Sequence, residues 1–170
     1  INKILMSVFL ALFVAGCATK SKDTADTSGS GSTSTSDSVD GTLTVSEGSG
    51  VVAGSQEDLI VNVGDRVFFG YDSSELDVDA QELLQDQVAW LKQHSNVSVI
   101  VEGHCDERGT REYNLALGEK RAQAVKNYLI SLGINSSRVS TISYGKERPA
   151  VIGSHEGAWS QNRRSVTLVN

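Results

Sequence analysis

Histidine and cysteine are scarce in this chain, with three of the first and two of the second among 170 residues. His94, His104 and His155 are scattered, and no CxxC or HExxH spacing occurs, so the sequence carries no ordinary zinc-site pattern. Excess positive charge is also missing. A net charge of −6 argues against a nucleic-acid binder, which ordinarily presents a basic face. Apolar residues make up 39 %, a little below the globular norm. The deficit is local: from residue 18 to 56 Ser, Thr, Gly and Asp dominate, and no aromatic residue occurs. Such a stretch cannot bury enough apolar surface to offset its ordering entropy. Residues 17–56 are therefore read as a flexible linker with a mean reach of about 35 Å. Within it, Thr42 to Val52 is read as a weak strand.

The chain opens INKILMSVFLALFVAGC. Lys3 supplies a short basic region, and Ile4 to Val14 has the length of a signal-peptide apolar region, too short to span a bilayer. Ala15 and Gly16 then precede Cys17. This pattern resembles the bacterial lipoprotein processing motif, the lipobox. The resemblance implies that residues 1–16 are a signal peptide and that Cys17 is acylated and becomes the mature N-terminus. Several acyl chains, at about 0.8 kcal/mol per buried methylene, make such an anchor nearly permanent. Ala18 follows the cysteine, with no Asp there, and resemblance to the sorting rules of Gram-negative lipoproteins then implies the outer membrane over the inner. A Cys17–Cys105 disulfide is possible on number alone, but lipidation explains Cys17 better and leaves Cys105 a small buried thiol.

Residues 57–170 have the composition of a folded domain. Leu59 to Val63 reads as a short strand and Arg66 to Tyr71 as a second. Asp77 or Asp79 caps a helix reaching about His94, with Ala80, Leu84, Val88 and Leu91 on one face and Asn96 ending it. Val97 to Val101 reads as a buried strand. Thr110 caps the next helix, whose stripe runs through Leu115, Gly118, Ala122, Val125, Leu129 and Leu132, with Gly133 at the C-cap. Arg138 to Tyr144 resembles a strand, Gly145 to Glu156 a loop or short helix, and Arg164 to Val169 a last strand. The order, βαβαβ(α)β, predicts an α/β two-layer sandwich with helices packed on one face of a mixed sheet.

Charge is uneven along this domain. Glu57 to Val101 holds nine acids and two bases; Glu102 to Asn170 holds seven acids and ten bases. The densest knot is VEGHCDERGTREYNLALGEKR, residues 101–121, where a strand hands over to a helix. A cysteine nucleophile is disfavoured, because His104 and Cys105 as strand neighbours point to opposite faces. A glycoside hydrolase needs two carboxyls facing across a cleft, which Asp72 with Asp106 could supply. A binding site uses more of the residues. Asp106 and Arg108 sit in the turn, and Asn114, Leu117 and Arg121 share one side of the helix. An acid, a guanidinium and a helix N-terminus around one small space suit a zwitterion. The competing reading is that Asp106 and Arg121 pair with each other and only pin the turn. The residues alone leave both open.

Taken with ISYGKERPA and the closing QNRRSV, this stretch resembles the OmpA C-terminal-like domain family, and within it the peptidoglycan-associated lipoproteins, over roughly residues 60–170. The lipobox and linker fit the same layout. The resemblance implies non-catalytic, cofactor-free binding of peptidoglycan through the diaminopimelate of its stem peptides. It carries the ligand-binding role onto Asp72, Asp106, Arg108, Leu117 and Arg121, with His104, Asn114 and Arg164 as weaker candidates. It also implies the Tol-Pal system and its proteins TolB and TolA as partners. Ser73-Ser74 depart from the bulkier or charged residues common in the family, and Cys105 is assigned no role.

Overall fold

A computed structural model describes residues 50–170. The signal segment, Cys17 and most of the linker lie outside the described residues, as does most of the strand read at Thr42 to Val52. The elements are α1 (Gln56–Asn62), β1 (Arg66–Phe68), α2 (Val78–Gln93), β2 (Val99–His104), α3 (Arg111–Ser131), a 3-10 turn (Ser136–Arg138), β3 (Val139–Gly145), α4 (Glu156–Asn162) and β4 (Arg164–Val169). The strands form one mixed sheet in the order β1-β4-β2-β3, with β2 and β3 parallel and β4 antiparallel to both neighbours. The α/β sandwich expected from the sequence is the observed architecture.

One expected strand is a helix. Leu59 to Val63 falls in and just after α1. Ser55 caps it by accepting from the Asp58 N–H at 3.2 Å, and Glu57 and Asp58 occupy the first turn. A short apolar run has no period that separates helix from strand. Leu59 enters the core and Val63 packs against it, while Ile60 and Val61 stay exposed. Buried Asp58 then ties α1 to α2, accepting from Trp90 Nε1 at 3.0 Å.

The longer elements follow their caps and stripes. Asp77 caps α2 through the Ala80 N–H at 2.9 Å, and Ala80, Leu84, Val88 and Leu91 are all buried. His94 is its C-cap, two residues before the expected Asn96. Thr110 caps α3 through the Tyr113 N–H at 3.2 Å. Its residues Ala122, Val125 and Leu129 join Val99, Val101 and Val139 in the core. Leu115, placed on the same stripe by its spacing, is 50 % exposed. Contact between α3 and β2 rests on two glycines. A Cβ on Gly103 would lie 1.8 Å from the Gly118 carbonyl oxygen, so the helix reaches the sheet only because no side chain stands between.

Candidate functional site

Sheet topology brings separate pieces of chain to one edge. Because β4 runs antiparallel to both β1 and β2, the C-terminal ends of β1 and β2 lie together, with the start of β4 between them. Phe68 pairs with Arg164 and Gly103 with Ser165. The segments leaving the two strands, 69–73 and 105–109, therefore meet the N-terminus of α3. Between them is a polar cavity of about 160 Å³, lined by Tyr71, Asp72, Asp106, Arg108, Gly109, Tyr113, Asn114 and Leu117.

Asp106 is buried on one wall. It accepts from Arg108 Nε at 3.1 Å, Arg108 Nη2 at 2.6 Å and the Arg108 N–H at 3.0 Å, and Arg163 Nη1 lies 3.5 Å away. Burial pushes its carboxyl up in pKa, but the Arg108 bonds and charge, with Arg163 behind them, outweigh this and hold it below the usual carboxylate range. The Arg108 guanidinium is fixed on its faces as well, 4.2 Å from the Tyr71 ring centre and 4.1 Å from that of Trp159. Asn114, buried, donates to the Arg108 carbonyl at 2.7 Å and the Thr110 carbonyl at 3.1 Å, closing the turn onto the helix.

Asp72 is different. It is exposed, adopts a left-handed φ of +53° that Asp tolerates better than most residues, and accepts from the Tyr113 hydroxyl. Among the described residues it has no cationic side chain within ion-pair distance. The bond to Asp72 raises the Tyr113 pKa, keeping that phenol protonated as a donor. The cavity thus holds one neutralised carboxylate and one that is free.

Arg121 does not stand where the sequence reading put it. Neither alternative, an open guanidinium facing Asp106 or an Asp106–Arg121 pair, is the observed geometry. Arg121 is 0 % exposed and lies behind the cavity without lining it. Its guanidinium donates to the carbonyls of Ser73 at 2.8 Å, His104 at 2.8 Å and Gly70 at 3.1 Å, and packs 5.1 Å from the Phe69 ring centre. It clamps the 70–73 turn to the end of β2, and so sets where Asp72 stands. The apolar stripe on α3 predicted an edge position; the depth came from three carbonyls that need a donor.

Two weaker candidates lie elsewhere. His104 and Arg164 occupy the sheet face opposite the helices, both buried. His104 stacks on Tyr144 at 5.6 Å and its Nε2 lies 3.3 Å from Glu102. Burial, then the charges of Arg164 and Arg148, push its pKa down to about 4, so it is neutral at pH 7. Cys105 donates to the Asn114 carbonyl at 3.3 Å, and burial pushes its thiol up to about 11.

Tyr71, Gly109, Tyr113, Trp159 and Arg163 belong to the site and were not singled out. Arg163 had a signal, adjacent to Arg164 in QNRRSV. Arg163 is the C-cap of α4, just before β4 begins, and sequence spacing alone does not show that its guanidinium turns toward Asp106. Tyr71 had one as well, directly before Asp72.

The fold and the cavity define an α/β domain with a charged recess where a strand passes into a helix. The pattern of the OmpA family matches residues 68–163, and the chain belongs to that family. It is 45 % identical over 168 residues to the peptidoglycan-associated lipoprotein of Agrobacterium fabrum (strain C58), spanning 99 % of this chain and 88 % of the relative. With the protein of that name from Brucella melitensis it shares 45 % over 170 residues, 99 % and 92 % of the two chains. The crystal structure of the peptidoglycan-associated lipoprotein from Burkholderia pseudomallei superposes with a TM-score of 0.61 at 42 % identity, covering 62 % of this chain and 90 % of that one. The C-terminal domain of Helicobacter pylori MotB, at 21 % identity and a TM-score of 0.58, covering 62 % of this chain and 84 % of that one, shares the fold.

Proposed function

We propose that this protein is an outer-membrane lipoprotein that holds peptidoglycan without covalent attachment, linking membrane to wall through acylated Cys17. The ligand is the side-chain end of diaminopimelate in an uncrosslinked stem peptide, where one carbon carries an ammonium and a carboxylate. The observation that carries this is the free carboxylate of Asp72 beside the N-terminus of α3. The ammonium meets Asp72. The carboxylate lies toward Gly109 and the first turn of α3, where backbone donors and the helix dipole favour an anion. Tyr71 and Tyr113, both exposed at the rim, cover the aliphatic stem.

The reading is of binding without chemistry. A hydrolase built on Asp72 and Asp106 needs one carboxyl protonated at neutral pH. Asp106 is shifted the other way and is held by two arginines. The names of the relatives support the same reading, as does the lipobox. Action within the Tol-Pal system in envelope integrity and cell division, with TolB and TolA as partners, completes the proposal.

Incubation of the chain with purified sacculi tests it. Co-sedimentation without release of soluble fragments is expected, and Asp72→Asn should lower retention about tenfold or more, the loss of a charge-assisted contact. Release of muropeptides would turn the assignment to a hydrolase.

A further inference from the structure

The sheet has two edges, and they are unequally protected. β1 is only three residues long, and the exposed Arg66 opens it. β3 runs for seven residues, VSTISYG, has β2 on one side and, among the described residues, no strand on the other. Unpaired N–H and C=O groups on an edge recruit further strands, and proteins normally blunt them with charge, proline or brevity. β3 has none of these, and its residues favour extended structure.

A groove lies beside this edge. Two open cavities of about 390 and 580 Å³ between α3 and β3 share Glu112, Leu115 and Ser143. Leu115, at 50 % exposed, and Ile142, at 39 %, supply apolar surface. The sequence placed Leu115 with the core, and the structure leaves it here. Acids set the sign of the groove. Arg111 is already paired with Glu147 at 3.3 Å, which leaves Glu112 and Glu119, the latter accepting from Thr141 Oγ1 at 3.0 Å.

We propose that the free edge of β3 and its groove bind an extended, basic segment of a partner protein, which adds as a fifth strand. Main-chain hydrogen bonds supply the affinity. Alternate side chains supply the selectivity: lysine or arginine toward Glu112 and Glu119 on the face that α3 covers, where Thr141 and Ser143 point, and apolar ones beside Ile142 on the other face. A second copy of this chain fits less well, because a two-fold pairing of β3 with itself sets two rows of the same acids side by side. This surface is separate from the cavity at Asp72.

The test is amide hydrogen exchange on the full chain, with and without an acetylated octapeptide alternating lysine and valine at millimolar concentration. The lysine peptide should slow exchange at residues 140–143 about tenfold or more, and a glutamate–valine peptide should not. The variant Glu119→Lys, changed at an exposed site two turns beyond the start of α3, should lose most of the protection while retaining sacculus binding. No slowing with the lysine peptide overturns the proposal, as does equal slowing with the acidic one. Protection that appears without peptide as protein concentration rises overturns it too, and assigns the edge to a second copy.

Discussion

Asp106 is held by Arg108, two residues along the chain, and not by Arg121. Side-chain bonds of 3.1 and 2.6 Å join Asp106 to Arg108, while Arg121 serves three main-chain carbonyls behind them. The two arginines therefore divide the work: one neutralises a wall of the cavity, the other fixes the turn that carries Asp72.

Arg121→Ala should act on stability first. It leaves the Gly70, Ser73 and His104 carbonyls without their buried donor, at a cost of about 3 kcal/mol or more. Arg121→Lys, which has no planar fork to reach three carbonyls, should recover only part of it. Urea denaturation measures both; an unchanged midpoint for the alanine variant would contradict the clamp.

Asp106→Asn should destabilise the domain by on the order of 2 kcal/mol, below the range for a fully buried pair because Arg108 keeps access to water. The pH dependence has a definite sign. The folded carboxyl titrates below its ordinary value, so its contribution is present above the unfolded value of 3.8 and is lost as pH falls through the lower folded value. Acid unfolding curves should be flatter for the asparagine variant below about pH 4. Parallel curves for the two proteins would remove the charge pairing from the account.

His104 gives a second, separate acid response. Its folded pKa is about 4 against an ordinary 6.5. In the interval between these values the unfolded chain takes up a proton that the folded protein refuses, so stability is lost as pH is lowered across it. The loss should be about 2 kcal/mol after allowance for solvent screening. Histidine NMR resonances report the pKa directly, and His104→Gln should flatten the stability profile between pH 4 and 6.5. A titration of His104 near 6.5 would show that the opposite sheet face is wetter than described.

Much of the fold was legible because the signals were long. α2 and α3 each run for several turns with a capping side chain at the start and buried residues at helical spacing. β4 alternates polar Ser165 and Thr167 with apolar Val166 and Leu168 along its sequence. α1 was misread because seven residues, with an apolar run inside them, hold too little period to separate helix from strand. At the site, the turn residues Asp106 and Arg108 and the helix-borne Asn114 and Leu117 were legible, since their positions follow from one strand end and one helix start. Depth was not. Arg121 lies on the expected side of α3, yet its guanidinium ends among carbonyls of two other segments, and sequence spacing does not reveal which backbone groups lack donors. Arg163 and Trp159 come from the far end of the chain and depend on the register of β4.

The most direct measurement is an NMR titration of the full chain with a stem peptide ending in diaminopimelate, beside one in which lysine replaces it. Lysine keeps the ammonium and lacks the second carboxylate. Amide shifts confined to Tyr71, Asp72, Gly109, Tyr113 and Leu117, with binding about tenfold or more weaker for the lysine peptide and for Asp72→Asn, are the predicted result. Equal binding of both peptides, or shifts that leave those five residues unmoved, would contradict the account.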